Sequence, residues 1–135
     1  MSAFRTSICD LLNIDYPIFQ AGMGWIARAD LAAAVSEAGG LGCIGAGSSM
    51  DAEELRDEIQ RVKAQTNRPF GVDILFATVA PKVNEAVRYT DKVAAMVDVV
   101  FEEKVPVLVS GLGSPKDVVP EAKKRGITVM SVVGA

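Results

Sequence analysis

Five short apolar runs recur along this 135-residue chain, and none of them alternates with polar residues. Tyr16 to Gln20 is the first, Leu41 to Ile44 the second and Phe70 to Leu75 the third; Val105 to Val109 and Ile127 to Val133 complete the series. A strand with one wet face carries a polar residue at every second position. Unbroken apolar strands are instead what a parallel sheet needs when both of its faces are covered. The series therefore predicts an α/β fold.

Amphipathic stretches separate the runs. Leu31, Ala34, Val35 and Ala38 predict one helical stripe, closed by the Gly39–Gly40 pair. Residues 52–66 predict a second helix, with Leu55, Ile59 and Val62 on one face, Asp51 as N-cap, and Glu53 and Glu54 in the first turn. Val93, Val97, Val100 and Phe101 define a third. Ser114 and Pro115 suit the N-cap and first position of a fourth, with Asp117 at the capping-box site. Pro120 would then fall inside that helix, so a kink or a later start is expected. Gly126 closes it before the last run. The widest interval, ATVAPKVNEAVRYTDK, reads as a long loop with a helical turn between Pro81 and Tyr89; long loops on such scaffolds often shape a site.

Two architectures fit this βα repeat. A doubly wound open sheet is complete with five strands. A TIM (β/α)8 barrel takes about 250 residues, and this chain would supply roughly its first four βα units plus a fifth strand. Counting elements does not choose between them.

Charge and composition exclude several function classes. The formal net charge is −3, and the basic residues (Arg56, Arg61, Lys63, Lys82, then Lys123 to Arg125) are scattered without interleaved aromatics. A nucleic-acid-binding surface is not expected from that pattern. No run reaches the length of a membrane span, and the opening MSAFRTSICDLLN has no continuous apolar signal segment. Cys9 and Cys43 lack metal-ligand spacing and read as reduced thiols, so a cytoplasmic location is expected. Cys43, inside an apolar run with no base beside it, reads as a small buried hydrophobe. The sequence contains no histidine, so an imidazole base cannot come from this chain. Half of the residues are hydrophobic, which is rich for so small an object and predicts that further protein covers some of them.

Small residues gather where the runs end. Gly22–Met23–Gly24 follows the first, Gly45–Ala46–Gly47 the second, Ser110 to Ser114 the fourth and Gly134–Ala135 the fifth. Each alone is an ordinary turn signal. Together they mark one edge of a parallel sheet, where missing side chains let a flat ligand approach the backbone. GMGWIA, GAGSSM and GLGSPK each begin like a dinucleotide fingerprint. GMGWIA has Ala27 as its third small residue but no acidic ribose ligand at the end of the next run. The other two have Met50 and Lys116 at the third position, so the Rossmann pattern is not met.

Asp73 interrupts an apolar run near its end. A carboxylate there is costly unless bonded, so it serves either as an acceptor for a neighbouring loop or as a group facing a ligand. Met23 offers either a soft apolar face with a backbone N–H or core filling. Trp25 reads first as a packing residue beneath a loop, with the pocket wall as the alternative. Ser110 suits a ligand hydrogen bond, whereas Gln20 suits cross-linking of strand ends. Asp57, Arg61 and Lys63 read as a solvated helix face, Asp57 and Arg61 being spaced to pair.

The segment LLNIDYPIFQAGMGWIARADLAAAVSEAGGLGCIGAG, followed by TNRPFGVDILF, EEKVPVLVSGLGSP and KKRGITVMSVV, resembles the nitronate monooxygenase family. That family was formerly called 2-nitropropane dioxygenases and is related to the flavin-dependent enoyl-ACP reductases. The resemblance implies a TIM barrel that binds FMN at its C-terminal mouth and acts on a small-molecule substrate. Ala21, Gly22 and Met23 would lie beside the isoalloxazine, and Gly45, Ala46 and Gly47 would form the loop after the second strand. Ser110 and Gly111 would lie near the ring at the end of the fourth. Asp73 falls where relatives carry Asn in a GVN motif, and Asp lacks the amide donor. The implied reaction is oxidation of an alkyl nitronate by oxygen to a carbonyl compound and nitrite; the alternative is reduction of an enoyl thioester with a nicotinamide cofactor. The family's histidine base, in a later segment like AGGH, and its phosphate-binding loops have no counterpart here. A half-barrel leaves edge strands bare, which predicts a protein partner or the remaining C-terminal barrel segment against this chain. A truncated form and a self-associating, non-catalytic half-barrel are the competing expectations.

Overall fold

The computed structural model describes residues 4–47, 49–76 and 90–134. Among these residues four strands form one sheet: β1 (Gly42–Ala46), β2 (Phe70–Leu75), β3 (Val107–Leu112) and β4 (Thr128–Ser131). The same described residues form five helices: α1 (Ser7–Leu12), α2 (Ala29–Glu37), α3 (Ala52–Gln65), α4 (Asp91–Glu102) and α5 (Val119–Lys124). All neighbouring strands are parallel and their order is β1-β2-β3-β4.

Strand order and helix placement settle what counting could not. A doubly wound sheet reverses direction and covers both faces with helices. Here each strand adds beside its predecessor, and α2, α3, α4 and α5 share one apolar layer with Ile44, Val72, Ile74 and Leu108. The opposite face carries Cys43, Val107 and Val109, packed with Leu41 against Cys9, Leu12 and Ile14 around α1. Sequential winding with crossover helices on one face is the arrangement of a partial TIM-barrel-like sheet.

The helices begin where local chemistry allows. Asp51 caps α3 by accepting from the Glu54 amide at 2.8 Å, and Leu55, Ile59 and Val62 are buried as their spacing predicts. Thr90 caps α4 through the Val93 amide at 3.3 Å. The start of α2 has no cap of its own. Glu58, reaching from α3 and almost fully buried, accepts the Ala29 amide at 2.6 Å on Oε2 and Arg61 at 2.9 Å on Oε1. A carboxylate at a helix N-terminus is favoured by the orphan amides there. Arg61 also meets Asp30, so the expected pairing with Asp57 is replaced by contacts to Glu58 and Asp30.

Three expectations are corrected, and a fourth holds. The first apolar run yields only one parallel bridge, Phe19 with Leu41, rather than a strand. Pro17 has no N–H, and beyond Gln20 the side-chain amide replaces the main chain: the Cys43 amide donates to Gln20 Oε1 and Gln20 Nε2 donates to the Cys43 carbonyl, both at 3.1 Å. Gln20 thus cross-links strand ends as expected. The buried face of α2 is Ala29, Ala32, Ala33 and Ser36, not the stripe through Leu31, Ala34, Val35 and Ala38. Gly42 lies directly against the Ala32 carbonyl, so the helix sits too close to the sheet for larger side chains. The last helix starts late, at Val119, as expected from the position of Pro120, after a turn in which the Val118 amide donates to the Pro115 carbonyl at 2.8 Å. Pro120 then falls in the first turn, where its missing N–H leaves no bond unmade. Finally, β1 runs on to Ala46 and β3 to Leu112, so Gly45, Ala46, Ser110 and Gly111 are strand residues rather than loop residues. The helical turn expected between Pro81 and Tyr89 lies outside the described residues.

Candidate functional site

Register decides which side chains meet at the C-terminal edge of the sheet. Gly45, Asp73 and Val109 stand side by side in one row, and Ala46, Ile74 and Ser110 in the next. Successive rows project to opposite faces. Asp73 therefore points to the face away from the outer helices, with Gly45 beside it. Ala46 and Ser110 point toward the helix layer; both are buried, and the Ser110 hydroxyl donates to the Gly113 carbonyl at 2.9 Å. The side chains of Ala46 and Ser110 are thus turned away from the rim where a ligand contact was expected. The strand parity that puts Asp73 in the mouth takes them out of it.

A cleft of about 300 Å³ opens at this edge. Gly22, Gly24 and Trp25 line it from the segment before α2, Gly45, Gly47 and Ser49 from the end of β1, and Asp73 and Leu75 from β2. The segment from Met23 to Ala27 is a turn: the Ile26 and Ala27 amides both donate to the Met23 carbonyl at 2.8 Å, and the Ala27 carbonyl accepts from the Gly45 amide at 2.8 Å. That last bond pins the turn to the sheet. Met23 is partly exposed beside the cleft mouth, its backbone packed on Gly45. Ala21 is exposed just before it.

The glycines divide into two kinds. A side chain on Gly22 would run into the Asp73 carboxylate, one on Gly111 would come within 2.5 Å of Asp73 Oδ1, and one on Gly45 within 2.7 Å of the Met23 amide nitrogen. Internal crowding explains these three. At Gly24 a Cβ would meet nothing within 4 Å, and at Gly47 it would meet only Gly24 Cα, at 3.8 Å. Neither position has the positive φ that favours glycine. Nothing among the described residues requires them to be bare, and Gly24 and Gly47 both line the cleft.

Asp73 is held between Gly22 and Gly111. Burial pushes its carboxyl up to about 6, and the nearby amides of Gly111 and Gly22 offset only part of that cost. Oδ1 is sealed from solvent, and among the described residues no donor reaches it in good hydrogen-bond geometry; the Gly111 and Gly22 amides lie near but do not satisfy it. Below Asp73, on the same face, Cys43 is buried and its thiol is pushed up to about 12, first by desolvation and then by the Asp73 charge. A thiol so poorly ionised is inert as a nucleophile, as expected of a buried hydrophobe. Among the described residues no cluster of acidic, thiol or imidazole groups could hold a metal, and no helix is long and apolar enough to cross a membrane.

Four lining residues were not singled out by the sequence as ligand contacts. Leu75 was legible, since it lies two residues beyond Asp73 and so on the same face. Gly24 and Ser49 sit in glycine-rich segments whose inward members could not be distinguished without the fold. Trp25, expected to pack beneath a loop, is instead 75% exposed at the cleft, with the Arg28 guanidinium 5.7 Å from its ring centroid. Its turn is pinned by backbone bonds, so the indole is not needed beneath it.

A parallel sheet with outer helices and a glycine-bare cleft at the C-terminal strand ends defines a (β/α)-barrel type of enzyme scaffold. Residues 5–135 match the family model for nitronate monooxygenase, and the chain belongs to that family. It is 32% identical over its whole length to the (3aS,4S,5R,7aS)-5-hydroxy-7a-methyl-1-oxo-octahydro-1H-indene-4-carboxyl-CoA dehydrogenase of Rhodococcus jostii, covering 35% of that protein. A probable nitronate monooxygenase of Staphylococcus haemolyticus is 43% identical over 64% of this chain and 24% of its own length. Among solved structures, FabK from Thermotoga maritima superposes with a TM-score of 0.84 at 40% identity, over 97% of this chain and 38% of that one. The chain thus spans less than half the length of the curated relatives it matches. This kinship relates it to families of FMN-dependent oxidoreductases.

Proposed function

We propose that the chain forms the N-terminal part of an FMN-binding (β/α)8 barrel and contributes the ring-binding rim of a flavin-dependent nitronate monooxygenase. The observation that carries this is the pair Gly24 and Gly47, bare toward the cleft with no reason among the described residues to be so. A planar aromatic group resting on backbone supplies that reason. Gly22, Gly24, Gly45 and Gly47 would present the flat surface, Trp25 and Leu75 the apolar walls, and Asp73 the polar contact. Ala21 and Met23 would border the ring, and Ala46, Ser110 and Gly111 would act through the backbone they hold in place.

FMN in such a site supplies acceptance of electrons from an organic substrate and return to the oxidised state by oxygen. The chain's own residues bind and orient. The bond from the Gly45 amide to the Ala27 carbonyl fixes the turn against the sheet, so the bare backbone is preorganised rather than assembled on binding. The proton-abstracting base is assigned to none of the residues here.

A second substrate class has specific support. The 40% identity to FabK and the likeness to a CoA-thioester dehydrogenase both favour a thioester, reduced or oxidised over the same ring. Two assays on the purified, assembled protein separate the readings. A flavin absorption band together with nitrite release from an alkyl nitronate, without nicotinamide, supports monooxygenation. NAD(P)H consumption with an enoyl thioester and no nitrite selects the reductase. A protein that carries no flavin and takes none up sinks both.

A further inference from the structure

Asp73 presents a problem that a ligand makes worse. One of its oxygens, Oδ1, is sealed and receives no well-formed hydrogen bond from the described residues, so Oδ2 is the oxygen left to meet the cleft. The groups that face the carboxyl are few. β1 brings the Cys43 thiol, β3 brings Val109 and Gly111, and the segment before α2 brings Gly22. Among the described residues none of them is a cation, and the amides of Gly111 and Gly22 favour the charged form only in part. A ligand closing over the cleft removes the remaining water and leaves an ion with no counter-charge, which is the costly case for a buried carboxylate. A neutral acid escapes it. Its carbonyl oxygen tolerates an unpaired, sealed position better than a charged oxygen does, and its hydroxyl restores a donor.

We infer that Asp73 meets the bound ligand as a neutral carboxylic acid, Oδ1 serving as the sealed carbonyl oxygen and Oδ2–H donating to an acceptor atom of the ring. A carboxylic acid and a carboxamide share this layout of one carbonyl oxygen and one donor arm. Asp73 would thereby do what an amide side chain does at this position. The elevated ionisation of the free site agrees, because a group already pushed up to about 6 needs only modest further desolvation to stay protonated at neutral pH. Above that pH, binding takes one proton from solvent: carboxylate, proton and ligand combine to give the hydrogen-bonded acid.

This inference rests on the flavin reading, and the test keeps the two apart. FMN is titrated calorimetrically into the assembled protein and its Asp73→Asn variant between pH 5 and pH 8.5, in buffers of different ionisation enthalpy. FMN carries a titrating phosphate of its own, so the quantity read is the difference between the two proteins. The expected result is that wild-type affinity falls relative to the variant by about tenfold per pH unit above 6, with nearly one extra proton taken up at pH 8. Parallel pH profiles with equal proton counts overturn the neutral-acid role and leave the flavin reading standing. Binding by neither protein at any pH overturns both. Should the variant fail to fold, infrared difference spectra of the wild type, FMN-loaded minus free at pH 8, read the same proton. A protonated-carboxyl band that moves on carbon-13 labelling of aspartate is expected, and its absence overturns the inference.

Discussion

Replacing Gly24 by leucine should separate binding from stability. A Cβ at Gly24 has no neighbour within 4 Å, and the residue does not occupy the left-handed region. The folded state therefore loses no contact. Restricting the unfolded chain contributes a few tenths of a kcal/mol in the favourable direction, so the net change should stay within about 0.5 kcal/mol. For a chain of this size about 1 kcal/mol corresponds to roughly 3–6 °C in Tm, and the expected shift is smaller than that. The new side chain fills part of a cleft of about 300 Å³. A ring seated there must retreat or be overpacked, at about 1–3 kcal/mol, which weakens FMN roughly 5- to 150-fold. Gly45→Ala is the contrast. Its Cβ would lie 2.7 Å from the Met23 nitrogen and 3.0 Å from the Gly24 nitrogen, backbone atoms that cannot swing aside. That variant should lose about 1–3 kcal/mol of stability as well as flavin. Thermal melts and FMN fluorescence quenching measure both quantities. If Gly24→Leu binds FMN like the wild type, the cleft is not where the ring sits. If it melts as low as Gly45→Ala, the bare position is structural after all.

Other variants test the supports of the site. In the ligand-free protein the Asp73 carboxyl is raised from 3.8 to about 6, so the stability it contributes is present below pH 4 and lost as pH rises through 6. Asp73→Asn should therefore melt higher relative to wild type at pH 8 than at pH 4; the shift alone corresponds to about 3 kcal/mol, and solvent reaching the group reduces this to about 1–2 kcal/mol. A pH-independent difference would refute the assignment. Glu58→Ala should cost about 2–3 kcal/mol in urea denaturation, because it leaves the buried Ala29 amide without its acceptor, whereas Asp57→Ala on the same helix should be near neutral. Cys43 should resist alkylation in the folded protein at pH 8, since its thiol is buried and pushed up to about 12, and react only after unfolding.

How much of this was legible in sequence depended on how many independent constraints each residue carried. Leu55, Ile59 and Val62 were placed correctly because spacing, an Asp51 cap and an acidic first turn all agreed. The α2 stripe was misplaced because alanines carry almost no hydrophobic signal. Leu31 and Val35 drew the periodicity, yet the close seat of Gly42 on the Ala32 carbonyl admits only the alanine face. Glu58 gave no sign of its role, since a glutamate on a charged helix looks solvated until another helix end arrives beside it.

At the mouth the limit was parity. Once a strand is located, alternate residues belong to opposite faces, but a shift of a single residue exchanges them. The glycine motifs pointed to the sheet edge where Gly22, Gly45 and Gly47 line the cleft, and the break in an apolar run pointed to Asp73 beside them. They could not tell that Ala46 and Ser110 fall in the row facing the helices, because both were read as lying beyond the strands rather than within them. Asp73 escaped that ambiguity for a physical reason. A carboxylate in an unbroken apolar strand is tolerable only on the face with room for a proton, an amide or a ligand. On the helix face it would be surrounded by Ile44, Val72 and Ile74 with none of these. The residue least at home in its strand was therefore the one whose direction chemistry could fix, and its glycine neighbours, Gly22 and Gly111, are small because it is there.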